Sequence, residues 1–437
     1  MGSSRVLARP KSAAERWLDI KSMVHQKLLS SMDTDTLKTI NKERVHGEIG
    51  LTVEKLVLDE GIPMTLAERE RMIEEILDEV FGLGPLEPLL KDPTISDILV
   101  NGADSIYIER DGRLIETNVR FRNQQHVRQI IEKIVSAVGR RIDDSSPIVD
   151  ARLKDGSRVC CVIPPLSLIG PSMSIRRFGK KLLSTEDLLK KETLTTGMLD
   201  LLSACVEARL NVVISGGSGS GKTTLLNTLS RFIPEEERVI TIEDVAELQL
   251  QQWHVVRLET RPANIEGSGA ITQRDLVINS LRMRPDRIIV GESRGPEALD
   301  MLQAMNTGHD GSMTTVHANS PRDAFSRLET MVMMASQHLP DRIVRQQLTS
   351  AINIVVHLAR LIDGTRRVTS ISEVLGVKDE QVELQDLFLF DRTGIAPSGK
   401  VLGKFQATGL HPICMDRLKA CGIHLSESIF REVHEVK

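Results

Sequence analysis

Ser215-Gly216-Gly217-Ser218-Gly219-Ser220-Gly221-Lys222-Thr223-Thr224 follows the apolar run Val212-Val213-Ile214 and leads into Leu225-Leu226-Asn227-Thr228-Leu229, which suits a helix. An apolar strand, a glycine-rich turn and a helix start in that order make a P-loop of spacing G-x-x-x-x-G-K-T. The glycines let successive backbone N–H groups face phosphate oxygens, Lys222 reaches the β and γ phosphates, and the Thr223 hydroxyl suits Mg²⁺. The positive end of the following helix adds to the attraction. The residues expected to bind nucleotide are therefore Gly216, Gly217, Ser218, Gly219, Ser220, Gly221, Lys222, Thr223 and Thr224. Gly217, Gly219 and Gly221 do not make G-x-G-x-x-G, which excludes the dinucleotide and protein-kinase loops. The ligands implied are a nucleoside triphosphate, ATP, and Mg²⁺.

At 437 residues the chain is long enough for two or three domains. Its 56 basic and 60 acidic residues leave a formal net charge of -4, so no global field favours nucleic acid or an anionic membrane. One Tyr and two Trp leave few stacking surfaces for single strands, and no nucleic-acid partner is expected. No stretch approaches the ~18 apolar residues of a membrane span, and Met1-Gly2-Ser3-Ser4-Arg5-Val6 lacks the apolar centre of a signal peptide. A cytoplasmic protein is expected. Cys160, Cys161, Cys205, Cys414 and Cys421 are odd in number and contain no C-x-x-C, so neither a disulfide framework nor a zinc site is expected. Most of them read as small buried residues.

Before the P-loop, residues 1–65 read as a helical extension, with Trp17, Ile20, Val24 and Leu28 on one stripe and a basic tail over the first ten residues. A second helix is expected over Leu66 to Phe81, stopped by Gly82-Leu83-Gly84-Pro85. The period then changes. Short β-type runs at 98–100, 105–108 and 113–116 are separated by Asn101-Gly102 and Asp111-Gly112, turn dipeptides of hairpins. A helix carrying Val127, Ile130, Ile131, Ile134 and Val138 follows, then strands at 149–153, 157–163 and 173–177. This pattern gives an α+β domain over 66–180, a connector over 181–192 and an α/β domain over 193–437. In the last of these, runs at 239–244, 287–292, 314–317 and 354–356 read as further strands, two of them ending in carboxylates.

Phosphoryl transfer to water needs a carboxylate to orient the nucleophile, Mg²⁺ to neutralise charge and cations for the developing negative charge. Glu292, at the end of an apolar strand, is the expected catalytic carboxylate and a Mg²⁺ partner beside Thr223. Glu243, Asp244 and Glu247 cluster after the preceding strand and suit Mg²⁺ through waters or the positioning of the nucleophile. His317 stands at a strand end, fitting a γ-phosphate sensor. Arg152, Arg158, Arg176 and Arg177, on strands of the preceding domain, are candidate arginine fingers.

Four stretches together resemble the boxes of the secretion-superfamily traffic ATPases: the P-loop, Thr241-Ile242-Glu243-Asp244 with Glu247-Leu248, Leu281 to Glu292, and Thr315-Val316-His317-Ala318-Asn319. Glu259 to Gly267, Ala298 to His309, Gly82 to Leu86 with Val100-Asn101-Gly102, and Val401 to Phe405 with Ala407-Thr408-Gly409 look like the CpaF branch, the ATPases of tight-adherence (Tad, Flp) pili. The resemblance spans about residues 66–437. It implies a RecA-like core joined by a flexible linker to an α+β N-terminal domain, a homo-hexamer, and ATP-driven work on an inner-membrane pilus platform. The location implied is the cytoplasmic face of the inner membrane, with peripheral association through partners. The alternative it leaves is a related motor exporting protein or DNA. It also implies roles: Lys222 and Thr223 for nucleotide and Mg²⁺, Glu292 for catalysis, Glu243, Asp244 and Glu247 as the acidic box, His317 as the histidine-box residue, and Arg158 and Arg176 for phosphate contact. Two positions stand out: Ser293 where a hydrophobic residue is expected, and Gly291 where many P-loop enzymes carry an Asp.

Overall fold

The computed structural model describes residues 65–436, apart from 111, 178–182, 264–267 and 337, together with isolated positions between 23 and 59. The Trp17 to Leu28 stripe and the basic tail lie outside the described residues. The chain divides into two compact units, Met1–Lys180 and Lys181–Lys437.

In the first unit, helix Leu66–Phe81 starts at a capping box: Glu68 N donates to the Thr65 hydroxyl, and the Glu68 carboxylate accepts from Thr65 N at 2.8 Å. Met72, Ile73 and Ile76 form its buried stripe. Six strands follow, β1 (Ile95–Asn101), β2 (Ile106–Arg110), β3 (Arg113–Glu116), β4 (Ile148–Arg152), β5 (Arg158–Val162) and β6 (Ser172–Arg176). They form one sheet in the order β3-β2-β1-β6-β5-β4, antiparallel at every step. Helix Gln124–Ala137, capped by Asn123, buries Val127, Ile130, Ile131 and Ile134 in the same core as Ile98, Ile106 and Ile175. This is the α+β arrangement that the change of period predicts.

The second unit is built on a ten-stranded sheet. Its members are β7 (Val212–Gly216), β8 (Val239–Glu243), β9 (Val255–Glu259), β10 (Arg287–Ser293), β11 (Met313–His317), β12 (Ile354–Arg360), β13 (Arg366–Lys378), β14 (Gln381–Ile395), β15 (Val401–Ala407) and β16 (Val433–Val436). The order is β16-β15-β14-β13-β12-β7-β11-β10-β8-β9. From β12 to β9 every pair is parallel, and from β12 outward through β16 every pair is antiparallel. A strand buried on both faces needs apolar residues at successive positions, which then divide between two cores. β7 does this: Val212 and Ile214 pack with helix Thr196–Glu207, while Val213 packs with helices Glu297–Asn306, Pro321–Ala335 and Asp341–Ala351. Each such side chain contributes roughly 1.5–3 kcal/mol relative to exposure. A parallel sheet layered between helices, with the P-loop strand inside it, is the RecA-like α/β fold.

Two features differ from the sequence reading. The strands after 356, and β9, carry mixed polar and apolar faces and gave no strong period. Of the five cysteines only Cys161 and Cys205 are buried; Cys160 and Cys421 are exposed and Cys414 lies between. Within the connector, Ser184-Thr185-Glu186-Asp187 reads as a helix start, and helix Thr185–Lys190 does form there behind a Ser184–Asp187 capping box, burying Leu188 in the second unit's core.

Candidate functional site

Parallel strands deliver their carboxyl ends to one edge, and that edge carries most of the expected residues. β7 ends in Gly216, opposite His317 in the register of β11 and Leu358 in that of β12. Gly216 must be glycine because a Cβ there would lie 2.4 Å from the Leu358 carbonyl oxygen. Gly219 and Gly221 have φ of +66° and +98°, the left-handed region that turns the loop before helix Lys222–Leu229. The Lys222 ammonium donates to the carbonyls of Gly216 and Gly217, both at 3.0 Å. Burial pushes its pKa below the ordinary lysine value, against the pull of the Glu292 carboxylate. Ser220 closes the loop with a 2.9 Å hydrogen bond to Gly217 O.

The acids gather at the ends of β8 and β10. Glu243 is 4% exposed, and one carboxylate oxygen accepts from the backbone N–H groups of Glu247 and Leu248, both at 2.9 Å. Its other oxygen, Oε2, is buried and has no hydrogen-bond partner. Burial raises the Glu243 pKa to about 7, only partly offset by those two N–H donors. Glu292 accepts from Arg294 Nη2 at 2.5 Å, and Arg294 Nη1 reaches Asp244 at 3.5 Å. Arg294 therefore ties the two acidic stretches together. The Glu247 backbone joins this cluster, and Asp244 also accepts from Thr260 at 3.3 Å.

Ser293 is not a defect in the strand. Its hydroxyl meets that of Thr314 at 2.8 Å, and Thr315 donates to Gly291 O at 2.7 Å, so a polar seam stitches β10 to β11 beneath the edge. The orphaned, buried Oε2 of Glu243 is a hard oxygen donor of the kind Mg²⁺ takes, so the acidic edge fits that ion. Thr223, Glu243 and Glu292 are the residues that would hold it, directly or through water.

Four contributors escaped the sequence reading. Glu297, in the first turn of its helix, accepts from Arg294 N at 2.6 Å and Gly295 N at 2.8 Å and so fixes the turn after Glu292. An acid just after Gly295-Pro296 is a helix-start signal that would have found it. His357 on β12 meets the Ser215 hydroxyl at 2.8 Å from a buried position that lowers its pKa. Arg366 donates from Nε to Gly219 O at 2.8 Å, and Arg360 also lies near Gly219.

In the first unit the expected arginines form a cross-strand row. Arg152 faces Arg158 between β4 and β5, Arg158 faces Arg176 between β5 and β6, and Arg176 faces Asp97 on β1. Arg176 pairs with Asp97 at 3.2 Å. Arg177 falls on the next position and is bonded to Asp92 O.

Residues 79–399 match the family described as Type II/IV secretion system protein, and residues 17–81 match the type II secretion system protein E, N-terminal domain. A putative conjugal transfer protein of Mycobacterium tuberculosis is 36% identical over 320 residues, 72% of this chain and 90% of that protein. The conjugal transfer protein TrbB of Rhizobium radiobacter is 32% identical over 68% of this chain and 88% of its own. The type IV secretion system protein VirB11 of Brucella suis is 33% identical over 322 residues, 67% of this chain and 89% of that protein. Among solved structures, the VirB11 ATPase of Brucella suis in complex with sulphate is 30% identical, covering 68% of this chain and 97% of its own, with a TM-score of 0.37.

Proposed function

The chain belongs to the type II/IV secretion system protein family, and from that premise we propose that it is an ATP-hydrolysing motor of the CpaF branch that powers tight-adherence pilus assembly. The observation that carries the enzymatic part is the shared edge of β7, β8 and β10, where a glycine cradle, Lys222, Glu243 and Glu292 come together. On this reading Lys222 exchanges the carbonyls of Gly216 and Gly217 for the β and γ phosphates, a charge-assisted contact stronger than the one it leaves. Thr223, Glu243 and Glu292 would hold Mg²⁺, which would supply neutralisation of the phosphate charge. Glu292, held by Arg294, accepts the hydrogen bond of the attacking water and orients it. Glu243, Asp244 and Glu247 shape the acidic side, His317 senses the γ-phosphate from the strand beside Gly216, and Arg158 and Arg176 supply further cations. The water oxygen bonds to the γ-phosphorus as the bond to the β-phosphate oxygen breaks, the water's proton passes to a phosphate oxygen or solvent, and ADP and inorganic phosphate leave.

The working form we propose is a homo-hexamer on the cytoplasmic side of the inner membrane, acting on membrane platform proteins. Among the described residues no helix is long and apolar enough to cross a membrane. The CpaF assignment rests on the stretches at 82–86, 259–267, 298–309 and 401–409. A second reading, a motor for export of protein or DNA, is favoured by the names of relatives matching over two thirds of the chain.

Steady-state ATP hydrolysis by the wild type against Lys222→Ala and Glu292→Gln tests the site. Both variants should lose at least 100-fold in rate, on the order expected for loss of a principal charge-stabilising or water-orienting group; parental rates in both would reject the assignment. In cells, Lys222→Ala should abolish surface pili while leaving conjugation and protein export intact. The opposite pattern selects the export reading.

A further inference from the structure

Successive residues of a strand point to opposite faces, so neighbouring side chains can hold two different parts of a molecule with one rigid backbone. β13 begins with such a pair. Arg366 donates from Nε to the carbonyl of Gly219, and its chain runs alongside Gly221, whose absent Cβ would lie 3.4 Å from Arg366 Cδ. Arg367 is buried, at 4% exposure. Its guanidinium is bonded to Lys191 O, to Glu192 O at 2.5 Å and to the Glu192 carboxylate at 3.4 Å. The next residue continues the grip, since Val368 N donates to Thr193 O at 2.8 Å.

What Arg367 holds is a strained turn at the start of the second unit. Helix Thr185–Lys190 ends there, and Glu192 adopts a φ of +50°, a left-handed conformation uncommon outside glycine and stable only when its surroundings enforce it. Thr195 then opens the next helix, its hydroxyl also bonded to the Glu432 carboxylate at 2.8 Å. The other side of the pair is equally braced. The β12–β13 turn closes through Leu361 N to Thr365 O at 2.8 Å, and Asp363 ties Thr365 N and Val401 N at 3.0 and 2.8 Å. A stiff strand start thus has one arm on the phosphate loop and the other on the strained turn.

We propose that Arg366 and Arg367 form a coupling pair through which occupancy of the phosphate loop alters the segment 184–195, making Arg367 a positioning residue rather than a phosphate ligand. The inference rests on nucleotide binding at this loop, as argued above. Phosphate drawing the loop N–H groups inward reorients the peptide carrying the Gly219 carbonyl, and Arg366 follows that acceptor. Because Arg366 and Arg367 share a peptide bond, the shift reaches the Lys191 and Glu192 carbonyls at once. The Glu192 turn, held at positive φ by these partners, is the element whose balance such a shift would alter.

Hydrogen–deuterium exchange of the full chain, empty and with saturating Mg²⁺ and a non-hydrolysable ATP analogue, tests this. In the wild type, amides of 184–195 should change their exchange rate at least fivefold between the two states. Arg367→Lys keeps the charge but cannot fork across two carbonyls and a carboxylate. It should bind the analogue as tightly as the wild type, lose most of that difference, and lower kcat with KM unchanged. Arg366→Ala, at an exposed position, should lose the same difference at saturating analogue, which keeps the proposal testable if the buried variant does not fold. A merely structural role would raise exchange equally in both states and leave the difference in place. An unchanged difference in Arg366→Ala, or none in a wild type that binds the analogue, overturns the coupling and leaves the ATPase reading standing. A wild type that binds no nucleotide overturns both.

Discussion

Gly291 makes the room that Glu243 occupies: a Cβ at position 291 would lie 2.8 Å from Glu243 Cγ and 3.2 Å from its Oε1. The two residues face each other across β10 and β8, one step beyond the Val290–Ile242 pair. The glycine standing where other P-loop enzymes carry an Asp is thus the condition for a buried glutamate on the next strand to lie under the site edge.

Gly291→Ala should push Glu243 out of place. Overpacking of this kind costs about 1–3 kcal/mol, measurable by urea unfolding. ATP hydrolysis should fall at least tenfold while nucleotide affinity, set by the phosphate loop, changes much less. An alanine variant as active as its parent would show that Glu243 does not need its present position.

Glu243→Gln should stabilise the nucleotide-free protein in a pH-dependent way. Burial raises the Glu243 pKa from the ordinary carboxyl value of 4.5 to about 7. Between those values the native state binds more protons than the unfolded chain, so stability falls as pH rises through this window and the full penalty is present above about 7. The cost corresponds to roughly 3 kcal/mol at most. Thermal unfolding at about pH 8 should therefore show the Gln variant more stable than the parent, and at about pH 4 the two should converge. Hydrolysis should drop in the same variant. A constant stability difference across this range would mean that Glu243 is not buried as a titrating acid.

How much of this was legible in the sequence follows from periodicity. β7, β8, β10 and β11 are buried on both faces, and unbroken apolar runs announce such strands. The hairpins of the first unit announce themselves through Asn101-Gly102 and Asp111-Gly112. Partners fixed only by tertiary approach left no trace. Nothing separates Glu237 from Glu235 and Glu236 along the chain, yet only Glu237 is buried, against Arg287. His357 and Arg367 likewise sit in strands whose neighbours across the sheet cannot be inferred from order alone. Ser293 looked like a departure because its partner, Thr314, is 21 residues away.

Arg287 is fully buried and hydrogen-bonds the Glu237 carboxylate at 2.5 and 3.1 Å and Val206 O at 2.6 Å. Arg209 adds a second cation to Glu237 at 3.1 Å. Removing Arg287 leaves Glu237 with the half-exposed Arg209 alone, so Arg287→Ala should cost about 3 kcal/mol, the low end for a broken buried pair. The double variant Arg287→Met with Glu237→Leu should recover more than half of that loss, since no buried charge is left uncompensated. If the double variant is less stable than Arg287→Ala in urea unfolding, the pair contributes net stability.

The arginine row of the first unit gives an opposite expectation for stability and activity. Arg152, Arg158 and Arg176 occupy directly facing positions on three adjacent strands, where like charges repel. If Arg158 acts on phosphate, as proposed above, Arg158→Ala should leave the unfolding free energy within about 1 kcal/mol of the parent. ATP hydrolysis should nonetheless fall at least tenfold. Arg176→Ala should show a similar fall in rate but lose its ion pair with Asp97, an exposed contact of about 0–1 kcal/mol. Parental hydrolysis in both variants would remove the row from the active site, whereas destabilisation by Arg158→Ala beyond about 1 kcal/mol would make it a structural element of the sheet.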